Sequence, residues 1–251
     1  MPINQHATNV LVTRPIQQAS NLCQKLDAAN LNPINFPCIE IQTVAEQSVV
    51  KQQLTSLKQK DYLIFTSANA VLHADLLLSK HWPTLNNTLV AIGPKTAEAL
   101  CAVGLKPSII AQAPFNSESL LRQFPSSLQN KTCAIIKGEG GRPFLAEQLR
   151  QRGMTLSNID VYRRSLPSYR PSPTQTLHYI TITSQLALSN LFSLMKNRAG
   201  QLKQQSHFIV FSQRIADYAI SLGCQHVHIC HEASDDGLVR AIVEVKKANE
   251  F

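Results

Sequence analysis

The sequence predicts an α/β protein whose strands form parallel sheets. Short runs rich in β-branched and aromatic residues alternate with amphipathic segments through almost all of its 251 residues. Apolar strands separated by helices of about 10–15 residues are typical of parallel sheets covered by helices on both faces. A chain of this length can form two domains, and its candidate strands are numerous. We therefore expect two doubly wound parallel sheets.

Each predicted strand is a short run of mainly apolar or β-branched residues. In chain order the strands are residues 10–13 (VLVT), 39–42 (IEIQ), 62–66 (YLIFT), 89–92 (LVAI), 108–111 (SIIA), 132–137 (TCAIIK), 158–161 (NIDV), 179–183 (YITIT), 208–212 (FIVFS) and 227–230 (VHIC). Each predicted helix has apolar residues at helical spacing. These helices include residues 15–26, 49–57, 96–103, 143–152 and 215–222.

Two parts of the chain resemble each other. YLIFTSANAVLHADLLL is echoed by YITITSQLALSNLFSLM, and LVAIGPKTAEALCAVGL is echoed by FIVFSQRIADYAISLGC. Thr66 and Thr183 are 117 residues apart, and Gly104 and Gly223 are 119 residues apart. A weaker echo joins NVLVTRP near the start to CAIIKGEGGRP. The concordant separations favour an internal duplication.

Two segments are predicted to connect the halves. Residues 32–41 contain Pro33 and Pro37, which favour extended chain, and residues 159–173 are rich in proline and arginine. Two crossings imply a discontinuous domain with residues 38–162 as a continuous insert. The repeat alone leaves two contiguous halves as the alternative.

The net charge of +8, from 24 basic and 16 acidic residues, indicates an anionic partner. A nucleic-acid-binding protein usually gathers its basic residues on one surface, often beside aromatic side chains. Here the basic residues are dispersed and only 6% of the residues are aromatic. We therefore expect a small polyanion as the ligand and no nucleic acid.

Neither membrane insertion nor secretion is expected. No apolar run approaches the roughly 20 residues of a membrane span. The first residues, MPINQHATN, lack the basic and apolar regions of a secretory signal. Six cysteines without a Cys-x-x-Cys pair favour a reducing compartment. We expect a cytoplasmic protein.

HVHICH, residues 226–231, is the candidate metal site. Strand alternation would place His226, His228 and Cys230 on one face, but no second cluster of ligands accompanies them. We expect a strand of mixed polarity there, and no metal.

Polar residues stand where the predicted strands end. Ligands of open α/β sheets bind at the carboxyl ends of the strands, and the helices that begin there have free N–H groups that attract anions. Helix capping explains any one of these ends. Six of them in a basic protein favour an anion-binding cleft between two domains. The residues are Thr13 and Arg14, Thr66 and Ser67, Ile92 and Gly93, Lys137 and Gly138, Thr183 and Ser184, and Ser212 with Arg214.

Conventional catalytic motifs are absent from the sequence. The glycine-rich turn KGEGGRP, residues 137–143, is neither a Walker loop nor a complete dinucleotide-binding motif. There is no GxSxG elbow and no HExxH helix. An enzyme of this composition would bind, orient and stabilise charge with one proton donor. Tyr162, beside Arg163 and Arg164, is the candidate donor, and interdomain packing is its alternative role.

Several short segments, taken in order, match a known family. They are VLVTRP, DYLIFTSANAV, AIGPKTAEALCAVGL, SESLL, GEGGRP with LRQRG, VYRR, ITS and SQRIADYAISLG. On these segments the chain resembles the uroporphyrinogen-III synthase family over essentially its whole length.

The resemblance implies a cytoplasmic, cofactor-free lyase of tetrapyrrole (haem) biosynthesis. Its substrate would be hydroxymethylbilane, a linear tetrapyrrole that carries eight carboxylates. The enzyme would dehydrate and cyclise this substrate, with inversion of the last pyrrole ring, to give uroporphyrinogen III. Two α/β domains joined by a two-stranded connector, with the active-site cleft between them, are implied as well. This selects residues 1–36 with 166–251 as one domain and 38–162 as the other, and we expect a monomer.

The resemblance also implies roles for individual residues. Tyr162 matches the family tyrosine thought to supply a proton, Thr96 matches a threonine after a Gly-Pro turn, and Ser184 matches a second-half serine. The second Gly-Pro-x-Thr turn is replaced here by SQRI, so Ser212 or Arg214 would take over that carboxylate contact. The expected substrate-binding residues are Arg14, Thr66, Ser67, Asn69, Thr96, Lys137, Gly138, Thr183, Ser184, Ser212 and Arg214.

The rival interpretation is a non-catalytic, two-lobed carrier or sensor of an anionic small molecule. It too accounts for the charge and for the lack of catalytic motifs. An enzyme would shift the product of hydroxymethylbilane closure from isomer I to isomer III, whereas a carrier would leave the ratio unchanged.

Overall fold

The computed structural model describes residues 8–168 and 172–249, and the chain divides into two compact units. The discontinuous unit consists of Met1–Glu40 with Ser165–Phe251, and the inserted unit consists of Ile41–Arg164. The chain therefore passes between the units at two places. Residues 169–171, which belong to the second predicted crossing, lie outside the described residues.

Strands and helices alternate along most of the described chain. The strands are β1 (Asn9–Val12), β2 (Asn32–Asn35), β3 (Glu40–Thr43), β4 (Tyr62–Phe65), β5 (Thr88–Ala91), β6 (Ile109–Ile110), β7 (Thr132–Gly138), β8 (Thr155–Ser165), β9 (Tyr179–Ile182), β10 (His207–Val210) and β11 (His226–Ile229). The helices are α1 (Ser20–Ala28), α2 (Gln47–Thr55), α3 (Ala68–Leu77), α4 (Pro94–Ala102), α5 (Ser117–Leu121), α6 (Phe144–Gln151), α7 (Gln185–Leu194), α8 (Ala199–Gln205), α9 (Gln213–Ser221) and α10 (Asp235–Asn249).

The discontinuous unit is built on a five-stranded sheet in the order β11-β10-β9-β1-β2, in which neighbouring strands pair in parallel. Val10, Leu11 and Val12 form an apolar run in β1 because both faces of the sheet are covered. Val10 and Val12 share a core with Leu22 of α1 and Leu238 of α10. Leu11 faces the other side by strand alternation and is also buried. The continuous apolar run is thus the expected pattern of a central parallel strand.

The inserted unit is built on a six-stranded sheet in the order β3-β8-β7-β4-β5-β6. The pairs from β8 to β6 are parallel. Leu63 and Phe65 of β4 pack in a core with side chains of α2, α3 and α4. Ile64 packs on the opposite face with side chains of α5 and α6. The predicted α/β class with two parallel sheets is confirmed.

Equivalent strands take equivalent places in the two sheets. The order β2-β1-β9-β10-β11 of the discontinuous unit corresponds to β8-β7-β4-β5-β6 of the inserted unit. The segments that echo each other in the sequence are β4 with β9, β5 with β10 and β7 with β1. Each pair occupies the same position, so the sequence duplication has a counterpart in the fold.

The predicted strands are all present, with ends that shift by a few residues, but one strand is additional. Residues 32–35 form an edge strand beside β1, although the sequence predicts only extended chain there. An edge strand tolerates Pro33 because one of its sides forms no ladder. The predicted helix 15–26 begins as a single 3-10 turn, Ile16–Gln18, before α1 starts.

Among the described residues no helix is long and apolar enough to cross a membrane.

Candidate functional site

A pocket opens at the carboxyl end of the inserted unit's sheet, where the strand order reverses. β4 and β7 are neighbours, but the chain continues from β4 to β5 on one side and from β7 to β8 on the other. The helices that follow them, α3 and α6, pack on opposite faces of the sheet. Their first turns therefore diverge and leave a crevice, which is where open α/β sheets bind ligands. The pocket has a volume of about 320 Å³.

Tyr162 of β8 lies in the wall of this pocket and is only 2% exposed. Its phenol oxygen is 3.2 Å from Ser67 Oγ, and Arg164 Nη2 donates a hydrogen bond to it at 2.9 Å. The guanidinium carbon of Arg164 is 5.2 Å from the centre of the tyrosine ring, within the range of a cation–π contact. The phenol oxygen is thus placed beside one hydroxyl and one cation.

The ring of Tyr162 is fixed by its packing. The imidazole of His73 lies 5.5 Å from it, centre to centre, at an interplanar angle of 30°. Thr43 Oγ1 is 3.0 Å from His73 Nδ1, and burial lowers the pKa of His73. Gly138 faces the same ring, because a Cβ at that position would lie 2.6 and 2.9 Å from two of its carbons. Only glycine fits at 138 while Tyr162 keeps this position.

The glycine-rich turn is held together by Lys137. Its ammonium group donates to the carbonyls of Gly138 at 3.0 Å and Gly140 at 2.8 Å, and to Asp160 Oδ1 at 2.7 Å. Gly140 and Gly141 have φ angles of +72° and +87°, which glycine adopts without strain. An ammonium group has three hydrogens, so each of them is used within the protein.

The far side of the turn forms an ion pair across the pocket rim. Arg142 Nη2 is 2.8 Å from Glu118 Oε1, and both residues line the pocket. The Glu118 backbone N–H, and next the hydrogen bond from Arg142, hold the pKa of Glu118 below its usual value. Both cations of the turn, Lys137 and Arg142, therefore already have a carboxylate partner.

The discontinuous unit has its own row of polar residues at the ends of neighbouring strands. Arg14, after β1, pairs with Asp235 and lies 5.2 Å from the centre of the Phe211 ring. Thr183 and Ser184 follow β9. Because β1, β9 and β10 are adjacent and parallel, these residues share one edge with those that follow β10.

The residues after β9 and β10 differ in how they begin their helices. Ser184 caps α7 by accepting a hydrogen bond from the Ala187 N–H at 3.2 Å. Ser212 occupies the equivalent position before α9 without a side-chain capping bond. Arg214 Nη1 donates to Gln185 Oε1 at 3.2 Å, which links the first turns of the two helices.

Comparison with known protein families identifies the family of this chain. The family model described as "Uroporphyrinogen-III synthase HemD" matches residues 20–240. The chain belongs to the uroporphyrinogen-III synthase family. The resemblance that the short segments indicate is therefore confirmed.

Named relatives agree with the family over nearly the whole chain. Uroporphyrinogen-III synthase of Escherichia coli (strain K12) is 30% identical over 248 residues, which cover 93% of this chain and 99% of the relative. The protein of the same name from Salmonella typhimurium (strain LT2) is 31% identical over 251 residues, with the same coverage.

Solved structures of the family share the fold. The uroporphyrinogen-III synthetase of Helicobacter pylori 26695 superposes with a TM-score of 0.65 and 16% identity, covering 95% of this chain and 99% of the other. A mutant uroporphyrinogen III synthase of the extremely thermophilic bacterium Thermus thermophilus gives a TM-score of 0.60 and 19% identity, covering 97% and 99%. At these identities the likeness concerns the fold alone.

Membership of the family makes the protein an enzyme of tetrapyrrole biosynthesis, a cyclising hydro-lyase. A non-catalytic carrier of an anionic small molecule, the rival interpretation of the charge pattern, is not favoured.

Some of the predicted site residues line the pocket of the inserted unit, and others do not. Thr66, Ser67, Lys137, Gly138 and Tyr162 line one pocket of the inserted unit. Two other predicted residues of that unit do not line it: Asn69, and Thr96, which is 3% exposed within α4. Arg14, Thr183, Ser184, Ser212 and Arg214 belong to the discontinuous unit.

Arg164 is a pocket residue that has a signal in the sequence. It lies two residues after Tyr162 in β8, so strand alternation places both side chains on one face. Both line the pocket. Asn158 also lines it, but a register shift in the pairing with β7 separates Asn158 from Tyr162, so parity does not identify it. The contact of His73 with Tyr162 has no such signal, because the two residues are far apart in the chain and come from different elements.

The histidine-rich strand β11 forms a stack with β10. His207 Nδ1 is 3.0 Å from His228 Nε2, and the His207 and His226 ring centres are 4.9 Å apart. Across residues 8–168 and 172–249, His, Cys, Asp and Glu side chains form no cluster of three arranged to hold a metal ion.

Proposed function

We propose that the pocket of the inserted unit carries the proton-transfer step by which hydroxymethylbilane becomes uroporphyrinogen III. The observation that carries the proposal is the phenol of Tyr162, set in the pocket wall beside Ser67 and Arg164. Tyr162 gives its proton to the substrate hydroxyl, which leaves as water. Help of this kind from a positioned acid typically accelerates a reaction about 10²–10⁴-fold.

Binding and orientation of the substrate are the other part of the proposed function. Unassisted closure of hydroxymethylbilane gives the unrearranged isomer I, so the enzyme must hold the chain curled for the inverted ring to close. Eight carboxylates need donors and cations, which the strand ends of both units supply. In the inserted unit we assign this role to Thr66, Ser67, Asn69, Thr96, Lys137 and Gly138.

Two of these assignments require local rearrangement. Lys137 must exchange one of its three internal hydrogen bonds for a substrate carboxylate. The buried Thr96 hydroxyl must become accessible. Thr66 and Ser67 line the pocket in the present conformation and need no such change.

In the discontinuous unit we assign substrate contacts to Arg14, Thr183, Ser184, Ser212 and Arg214. Ser212 is the better replacement for the threonine of the second Gly-Pro-x-Thr turn, because its hydroxyl makes no capping bond to α9. Arg14 is held by Asp235 and must share its guanidinium with the substrate.

The organisation of the molecule is proposed to follow the family pattern. The domains are residues 1–36 with 166–251, and residues 38–162 inserted between them. We propose a monomer that needs no cofactor, as the family resemblance implies. The six cysteines form no disulfide among the described residues, and this supports a cytoplasmic location.

Chromatography of the reaction products tests the proposed function. Incubation with hydroxymethylbilane is expected to give isomer III, and Tyr162→Phe is expected to lower turnover by roughly tens of fold or more. Tyr218→Phe is the matched control, because it also removes a phenol hydroxyl that lies beside a serine, 2.7 Å from Ser189 Oγ in the discontinuous unit. It should retain wild-type turnover. Near wild-type formation of isomer III by Tyr162→Phe would remove Tyr162 from the mechanism.

A further inference from the structure

Arg164 differs from the other cations of the site in what it binds. Lys137 is paired with Asp160, and Arg142 with Glu118. Within the part of the chain that the structure describes, Arg164 lies within 4 Å of no carboxylate. Its hydrogen bond goes to the phenol oxygen of Tyr162, at 2.9 Å. Its positive charge is thus directed at a phenol oxygen and not at a carboxylate.

The hydrogen bond from Arg164 also limits where the phenol proton can point. A guanidinium group has only donors, so the phenol oxygen must accept from it. The single hydrogen of the phenol then has to point elsewhere, and Ser67 Oγ is the other polar atom beside it, at 3.2 Å. Ser67 already accepts from the Ala70 N–H at 3.1 Å and lines the pocket. The phenol hydrogen is therefore directed away from Arg164 and is available to Ser67 or to a group bound in the pocket, since either oxygen of the Ser67–Tyr162 pair can donate.

We propose that Arg164 is a positioning residue for the dehydration step, acting through Tyr162. It orients the phenol hydrogen toward the substrate and holds the negative charge of the phenolate once that hydrogen has left. The inference rests on the proposed function of Tyr162 as proton donor.

The step balances without any further reactant. The phenol O–H bond breaks and its proton joins the substrate hydroxyl. The carbon–oxygen bond then breaks with both electrons on oxygen, and water leaves. The cation left on the substrate is neutralised after the last ring has inverted, when the pyrrole carbon that forms the closing bond loses its proton. One proton then returns to the phenolate, which Arg164 has stabilised in the meantime by a charge-assisted hydrogen bond.

Strand alternation supplies a matched control next to Arg164. Arg163 is the preceding residue of the same strand and is also exposed, but it faces the other side and contacts Gln42 Oε1 at 3.4 Å. Arg163→Gln and Arg164→Gln change the same charge at adjacent positions. Only the second removes the contact with the phenol.

Steady-state kinetics with hydroxymethylbilane test the inference. Arg164→Gln is expected to lower kcat about 10- to 100-fold with little change in KM, the pattern of an interaction made only in the transition state. Arg163→Gln should retain the wild-type kcat. Arg164→Lys should recover part of the lost kcat, because lysine restores the charge without the planar donor group. Melting temperatures of all variants should match the wild type.

A double-mutant cycle separates action through Tyr162 from direct binding of substrate. If Arg164 acts through the phenol, adding Arg164→Gln to Tyr162→Phe should lower kcat less than twofold further, because contacting residues are not additive. A rise in KM for Arg164→Gln, or an equal loss of kcat in both backgrounds, would mean that Arg164 binds a substrate carboxylate and would overturn the inference. A slow Tyr162→Phe beside a normal Arg164→Gln would refute this inference alone. A normal Tyr162→Phe would refute the proposed function.

Discussion

The ring of Tyr162 occupies space that a side chain at residue 138 would need. Gly138→Ala is therefore expected to push the phenol out of its place beside Ser67, since the new Cβ would lie 2.6 Å from one ring carbon and closer still to Cζ. A displacement of about 1 Å can cost roughly 100-fold in rate, and overpacking typically costs about 1–3 kcal/mol of stability. We expect kcat to fall at least tenfold, together with a lower urea midpoint.

Gly200→Ala is the control for this substitution. A Cβ at residue 200 of α8 meets no atom within 4 Å, and alanine favours helix over glycine by up to about 1 kcal/mol. Its kcat should stay at the wild-type value and its stability should not fall. A Gly138→Ala enzyme with normal kcat would show that the phenol can work from another position.

For single residues, the sequence predicts which side chain is the catalytic candidate better than it predicts which side chains surround it. Tyr162 can be found as a lone phenol beside two arginines, and the short segments of the family support it. Its burial against His73 and Gly138 cannot be found in this way, because those contacts join α3, β7 and β8 across the fold. Strand parity does distinguish Arg164 from Arg163.

Two serines that precede helices of the discontinuous unit differ in whether their side chains cap the helix. Ser184 and Ser212 both precede a helix at the end of a parallel strand, but only Ser184 caps its helix, by accepting from the Ala187 N–H. Replacement of a capping serine by alanine costs about 1 kcal/mol. We expect Ser184→Ala to lower the free energy of unfolding by about that amount, and Ser212→Ala to change it by less than about 0.5 kcal/mol.

Urea denaturation followed by far-UV circular dichroism measures this difference. The two variants serve as controls for each other, because both remove one hydroxyl from the same edge of one sheet. Equal losses of stability would mean that the Ser212 hydroxyl also stabilises the native state.

Secondary structure is the level at which the sequence is most informative here. Apolar runs of four or five residues identify the central strands, because both faces of each sheet are buried. β2 is missed because Pro33 argues against a strand, whereas at an edge it costs no ladder hydrogen bond. The length of β8, from Thr155 to Ser165, is also missed because polar residues interrupt its apolar pattern.

The response of the whole molecule to acid is expected to depend on the histidine stack of the discontinuous unit. Burial, and next the neighbouring histidines, lower the pKa of His207 and of His228. The unfolded chain then binds more protons than the native protein below the usual histidine value of about 6.5, so stability falls as the pH drops through that value. Above it, these groups are neutral in both states and their effect disappears.

Urea midpoints measured at pH 7.5 and at pH 5.5 test this expectation. His228→Gln should lose less stability between the two pH values than the wild type does, because one partly buried charge no longer has to form. His231→Gln is the control, since that side chain is exposed and lies 3.9 Å from Glu244. An identical acid response in all three proteins would exclude the stack as its cause.

The family can be inferred from the sequence because the short matching segments keep their order. Two units can be inferred because the duplicated segments have concordant separations. The carboxylate partner of each basic side chain cannot be inferred in the same way. Arg14, Lys137 and Arg142 each have a carboxylate partner in the structure. The acidic residues concerned lie from 23 to 221 positions away along the chain.

The insertion of one unit into the other has a consequence for the growing chain on the ribosome. β1 and β2 are made first, but β1 must pair with β9, which begins at Tyr179. At about 5–20 residues per second, roughly 7–30 seconds pass before that partner exists. Meanwhile all six strands of the inserted unit's sheet have been translated by Ser165. The part of the protein that starts second is therefore complete first, and the apolar residues of β1 wait for their partner strand β9 throughout that interval.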